Sequence, residues 1–150
     1  MINFLTNYKI LITALFAIFL LITSNITSAA VFNISSGDVA GLISSINVAN
    51  STAEADVINL DEGIFNLLEP DNHLNGLPII TTEITIRGAG IDKTTIQRSL
   101  GLVEPRFRIL EVSSSGKLTM ERLALRGGFT KLEVEFGGGI FNRGILAIAN

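Results

Sequence analysis

The sequence predicts an all-β fold, a parallel β-helix whose N-terminal end is covered by one helix. The first observation behind this is a repeat. Gly116-Lys117-Leu118-Thr119-Met120 returns twenty-eight residues later as Gly144-Ile145-Leu146-Ala147-Ile148, and Glu83-Ile84-Thr85-Ile86 has the same form thirty-four residues before Lys117. Self-similarity at this period marks a solenoid, in which each short unit buries its apolar face only against its neighbours. The second is that the strand-like stretches are short and divided by glycine turns. No tight Asn-Gly hairpin dipeptide, the signature of an antiparallel meander, joins one strand to the next. The third is a change of parity: Leu118 and Met120 share one face, Leu123 and Leu125 the other. Side chains alternate with period two, so the chain must bend near Glu121-Arg122, as a coiled strand path requires.

Not all 150 residues contribute to such a fold. Residues 1–30 carry one charge, Lys9, followed by the apolar run Ile10 to Ile22 and then Ser28-Ala29-Ala30. This is the pattern of a secretory signal with a small-residue cleavage site, and removal is expected after Ala30. The run is shorter than the roughly 20 residues that span a bilayer. Residues 31–150 form the expected mature part, with ten basic and fourteen acidic residues and a net charge of -4. No basic patch remains, which excludes nucleic acid as an expected partner. Mean hydropathy of +0.49 is inflated by the signal. Cysteine is absent, so packing alone must hold the fold.

In chain order, Val31 to Ile34 is expected as an opening strand. Ser36-Gly37-Asp38 then supplies a helix start, and Val39, Leu42, Ile43, Ile46 and Ala49 make one apolar stripe ending at Asn50-Ser51-Thr52. Such a helix would cover the open end of a strand-built core. Asp56 to Leu60 and Ile64 to Leu67 read as strands around the turn Asp61-Glu62-Gly63. Glu69 to Gly76 reads as an exposed loop. Leu77 to Ile80 re-enters the core, and Ile84 and Ile86 face one way within Thr82 to Arg87. Thr94 to Gln97 is a brief strand. Ser99 to Pro105 is a second loop, offered as the source of the longer thirty-four-residue spacing. Phe107 to Val112 is apolar enough for a strand, but its inward parity is ambiguous. A leucine-rich repeat competes over Met120, Leu123 and Leu125, yet Gly128 stands where its Asn or Cys belongs and the period is not constant.

These pieces, in order, resemble a family. Gly37 to Ile43 with Ala49-Asn50, then Ala55 to Leu60 and Gly63 to Leu67, are similar to the N-terminal cap of bacterial right-handed parallel β-helix proteins. Asn75 to Ile80, Ile84 to Gly88, Phe107 to Leu110 and Leu125 to Gly128 continue the likeness. Gly137-Gly138-Gly139-Ile140-Phe141-Asn142 resembles the glycine-rich strand motif of pectin-lyase-like and polymorphic outer-membrane-protein-like exported chains. The resemblance implies a right-handed, exported or surface-displayed β-helix. It also implies further coils and a C-terminal anchor, so a chain truncated inside a coil at Asn150 is expected. The family spans adhesins, structural proteins and polysaccharide-degrading enzymes, so membership does not settle function.

The residues themselves offer little catalysis. His73, among Asp71, Asn72 and Asn75, is expected to be a solvated loop residue, since no second histidine or cysteine exists to complete a metal site. Glycosidases need two carboxylates facing each other about 5 to 9 Å apart. Asp61 and Glu62 are adjacent and diverge, while Glu133 and Glu135 share a face that suits a plain solvated strand. Lyases of the resembled family use calcium-binding acids beside an Arg or Lys base. Glu83, Arg87, Glu121, Arg122 and Arg126 are expected outside on neighbouring coils, as scattered charges of both signs. Gly88, Gly90, Gly127, Gly128 and Gly137 to Gly139 are expected as corner residues, where glycine permits positive φ, not as phosphate cradles. Asn142 and Asn150 are expected to stack as amide ladders, and Asn33 and Asn50 head glycosylation sequons.

No catalytic, cofactor-binding or metal-ligating residue is therefore assigned. The expected role is an exported or surface scaffold, non-catalytic, facing a polysaccharide or a host or cell surface. The alternative is the N-terminal part of a polysaccharide lyase or hydrolase with its active site beyond residue 150. Membrane contact is expected only through the signal segment or an absent C-terminal anchor.

Overall fold

The computed structural model describes residues 28–99, 105–130 and 137–149. The elements follow in the order β1 (Val31–Ile34), α1 (Val39–Ala49), β2 (Asp56–Leu60), β3 (Gly63–Leu67), β4 (Glu83–Arg87) and β5 (Thr94–Arg98). After these come β6 (Leu110–Val112), β7 (Lys117–Glu121), β8 (Ala124–Arg126), β9 (Ile140–Asn142) and β10 (Ile145–Ala149). They stack as three sheets in the orders β1-β2-β4-β7-β10, β3-β5-β8 and β6-β9, and neighbouring strands are parallel throughout. Bridges at Asn75↔Arg108 and Ile80↔Val112 extend the third sheet by one coil. The result is a parallel β-solenoid of about four turns. The signal segment expected over residues 1–30 lies almost wholly outside the described residues.

Register confirms the repeat and relocates its irregularity. Lys117 pairs with Ile145 and Glu83 with Lys117, the twenty-eight- and thirty-four-residue steps read from sequence. On the second face Thr95 pairs with Ala124, a step of twenty-nine, and on the third Leu110 pairs with Ile140, a step of thirty. The step has thus shortened before the chain leaves the second face. Most of the extra length sits in the turn Gly88 to Lys93 between β4 and β5, not in the Ser99 to Pro105 segment. That turn is closed by Thr94, whose N–H bonds the Gly90 carbonyl and whose hydroxyl donates to Asp61 and accepts from Ala89.

The core is a set of columns running coil to coil. Ile58, Ile86 and Met120 stack in register, as do Ile84 and Leu118 beside them, all at most 3% exposed. Phe65 and Ile96 form the column of the second face. The predicted parity change is real: Leu118, Met120 and Leu123 are all buried, and Arg122 between them takes φ 54°. A non-glycine residue with positive φ is uncommon, and here it aims the chain around the corner. At the N-terminal end, Asp38 caps α1 by accepting from the Gly41 N–H at 2.8 Å, and Leu42, Ile46 and Ala49 are fully buried. Asn50 fastens the far end of α1 to the next coil. Its amide donates to the Ile79 carbonyl and accepts from both the N–H and hydroxyl of Thr81.

Two sequence expectations need correction. The Glu69 to Gly76 loop is not exposed throughout, because Asn75 and Gly76 are buried. Among the corner glycines, only Gly127 (φ 72°) and Gly137 (φ 71°) adopt positive φ. Others are glycine because coils touch there. A Cβ on Gly116 would overlap the Ile80 carbonyl oxygen of the preceding coil, and one on Gly144 would overlap carbonyls of Gly116 and Ser113. At Gly139 a Cβ would meet nothing within 4 Å. Gly116→Ala is therefore expected to lower stability by about 1–3 kcal/mol, as overpacking does. Gly139→Ala should stay within about 0.5 kcal/mol. Urea unfolding followed by circular dichroism checks both; equal midpoints for the two variants would refute the close-stacking account.

Candidate functional site

Outward side chains on the first two faces meet one another across coils. Glu83 bridges Lys117 at 2.7 Å and Arg87 bridges Glu121 at 2.6 Å, each pair directly opposite in the β4–β7 ladder. Lys93 reaches Glu62 at 3.5 Å. Amides do the same: Asn59 donates to Asn33 at 3.0 Å and Gln97 to Asn66 at 3.2 Å. The amide ladders thus form at these positions, whereas the Asn142 side chain turns back to accept from Gly144 N–H. Of the charges expected to be scattered over the outer surface, Glu83, Arg87 and Glu121 are paired strand to strand, while Arg122 donates to the Ala89 carbonyl. Being exposed, each such pair stabilises by at most about 1 kcal/mol.

The third face carries a different arrangement. Within Phe107 to Val112 every residue is buried, including Arg108 and Glu111. The Glu111 carboxylate lies 3.7 Å from the Arg108 guanidinium on one side and accepts from Arg143 at 2.5 Å on the other. From the coil before, Asn75 donates to Glu111 at 3.3 Å and to Asn72 at 2.6 Å. From the coil after, the Phe141 ring, directly opposite Glu111, lies 4.9 Å from the Arg108 guanidinium and 5.6 Å from that of Arg143. One carboxylate, two guanidiniums, an amide and a ring thus join three successive coils. The two side chains differ in depth: Arg108 is 4% exposed and Arg143 53%. Two buried atoms of the cluster, Arg108 Nε and Asn75 Oδ1, have no hydrogen-bond partner.

This cluster can hold and orient; it lacks the parts for acid–base catalysis. Arginine is never deprotonated in proteins, so neither guanidinium serves as a base. Glu111 stands alone as an acid where glycoside hydrolysis takes two. Among the described residues no group of three or more His, Asp or Glu side chains converges as a cation site. His73 is exposed, in the loop between Asn72 and Asn75. Asp61 and Glu62 sit in the turn between β2 and β3, and Glu133 and Glu135 lie outside the described residues. A hollow of about 310 Å³ opens beside β7, β8 and β10, lined by Ile91, Met120, Leu123, Ala124, Leu125 and Ile148. The side chains that line it are all apolar, so none of them offers a polar group to orient a substrate.

Sequence reasoning missed the Glu111 cluster. The available signal was Arg108 and Glu111, opposite charges three apart inside an otherwise apolar run. Among the described residues no helix is long and apolar enough to cross a membrane. Compared with known proteins, the chain matches no protein-family model and no curated protein. Removing the carboxylate charge while keeping its shape tests the cluster. Glu111→Gln leaves the buried Arg108 without a counter-charge and is expected to cost about 3–5 kcal/mol. Replacing both members by apolar residues, Glu111→Leu with Arg108→Met, should recover most of that loss. Denaturant midpoints of the three proteins decide; a Glu111→Gln loss below about 1 kcal/mol would mean the pair behaves as an exposed one.

Proposed function

We propose that this chain is the N-terminal part of an exported or surface-attached β-helix, similar to pectin-lyase-like and polymorphic outer-membrane-protein-like proteins. Its role in this reading is a non-catalytic adhesin or carbohydrate-facing scaffold. The observation that supports it most is the coil-to-coil pairing of outward side chains. Groups that bind each other along the rod axis stiffen a lateral surface and leave it available for recognition. The outer row Asn66, Gln97 and Arg126, in register on the second face beside Ile64, Thr95 and Ala124, suits a neutral glycan. Amides offer both donors and acceptors to sugar hydroxyls, and Ile64, 57% exposed, offers apolar contact.

The test uses the full-length gene product, exported from its host, on a panel of polysaccharides and on intact cells. Binding without change in polymer length is expected. The double variant Asn66→Ala, Gln97→Ala should weaken binding about tenfold, two hydrogen bonds at about 0.5–1 kcal/mol each. Loss of viscosity with gain of unsaturated product from pectin and calcium would overturn the non-catalytic role in favour of a lyase. Binding untouched by the double variant would overturn the choice of face.

A further inference from the structure

Asp56 is a carboxylate in the wrong place for a carboxylate. It opens β2 at an inward position, in register with Ile84, at the head of the apolar column that continues through Leu118. It is 1% exposed. Its two oxygens have one neighbour each: Oδ2 accepts from the Thr52 hydroxyl at 2.6 Å, and Oδ1 accepts from the backbone nitrogen of Ala30 at 2.6 Å. No arginine or lysine among the described residues forms an ion pair with it. A buried charge without a counter-charge is costly, and proteins almost always pair one.

Ala30 is held in place against that carboxylate. Its carbonyl accepts from Val57 N–H at 2.9 Å, which extends the β1–β2 ladder by one residue and fixes its nitrogen against Asp56. The two residues before it, Ser28 and Ala29, are small and exposed. A cut after Ala30, as the sequence pattern alone suggests, would remove both bonds. Asp56 would keep only Thr52, and Val57 N–H would lose its acceptor. A cut one bond earlier keeps both and converts the amide nitrogen at 2.6 Å into an ammonium.

We infer that Ala29–Ala30 is a processing site, and that the new α-ammonium of Ala30 forms the ion pair that buried Asp56 lacks. The inference rests on the reading that the chain is exported. In the step, an endopeptidase that accepts small residues hydrolyses one peptide bond with one water. The C–N bond between Ala29 and Ala30 breaks, the hydroxyl goes to the Ala29 carbonyl carbon, and the nitrogen of Ala30 takes up protons to become the ammonium. Processing and folding are thereby coupled, because the product is complete only after the leader has gone.

The full-length gene, expressed in an exporting host, gives the direct test through N-terminal sequencing and intact mass of the exported protein. The expected first residue is Ala30. An exported product starting at Val31, or at any other residue, overturns the inference and leaves export standing. A chain that stays inside with its leader attached overturns the export reading itself. A second measurement reads the pair. An amine-reactive reagent near neutral pH should label the Ala30 α-amine of the native product roughly tenfold more slowly than that of the denatured product, because the adjacent carboxylate holds the amine in its unreactive ammonium form. Asp56→Asn should restore fast labelling. Equal rates in native and denatured wild-type product would overturn the ion pair.

Discussion

Every part of this structure depends on parallel pairing between one coil and the next. A strand of three to five residues cannot bury its backbone or its inward side chains alone. Stacked in register, each coil meets the hydrogen-bonding needs of its neighbours and seals their inward residues. Met120, flanked by Ile86 and Ile148, is 3% exposed, whereas Ile148 in the outermost strand β10 is 63% exposed. Ile86, an isoleucine in the same column with coils on both sides, is fully buried, so the coil beyond a strand decides the environment of its inward residues. At the other end α1 does that covering, with Leu42 and Ile46 over the first strands.

Pairing in register also imposes the spacing that explains the glycines. Neighbouring strands lie about 4.8 Å apart, and turns that stack at this distance bring backbone against backbone. Gly116 and Gly144 occupy such a stack, where the carbonyls of the preceding turn take the space of a side chain. Positive φ is a separate demand, met by Gly127 and Gly137 and, at one corner, by Arg122. A sequence shows glycine in both situations and cannot tell them apart. That is why the turns were legible and the reason for each glycine was not.

The same division holds for the rest of the molecule. Period and parity are properties of the chain that repeat, so the strands, the Glu121-Arg122 corner and the α1 stripe could be read directly. The burial of Asn75, Arg108 and Glu111 could not. It depends on which coils flank them, and the Phe107 to Val112 run has no single parity because all six residues are buried. Asp56 was equally opaque. An acid at the start of a strand reads as a polar edge, and only its register with Ala30 and Ile84 shows that it points inward.

Magnitudes separate the polar groups that matter from those that merely decorate. Exposed pairs such as Arg87–Glu121 sit in high dielectric and contribute at most about 1 kcal/mol, so their number says little about stability. A buried carboxylate is different, since desolvation costs several kcal/mol and must be offset locally. The fold meets this cost in two ways. Glu111 is offset by side chains from its own and the following coil, which makes it a fastening between coils that forms whenever they stack. Asp56 faces only a hydroxyl and a backbone nitrogen, and no side chain close to it among the described residues carries positive charge. Its balance therefore rests on the chemical state of one nitrogen at the head of the first strand, where the packed core meets the segment that precedes it.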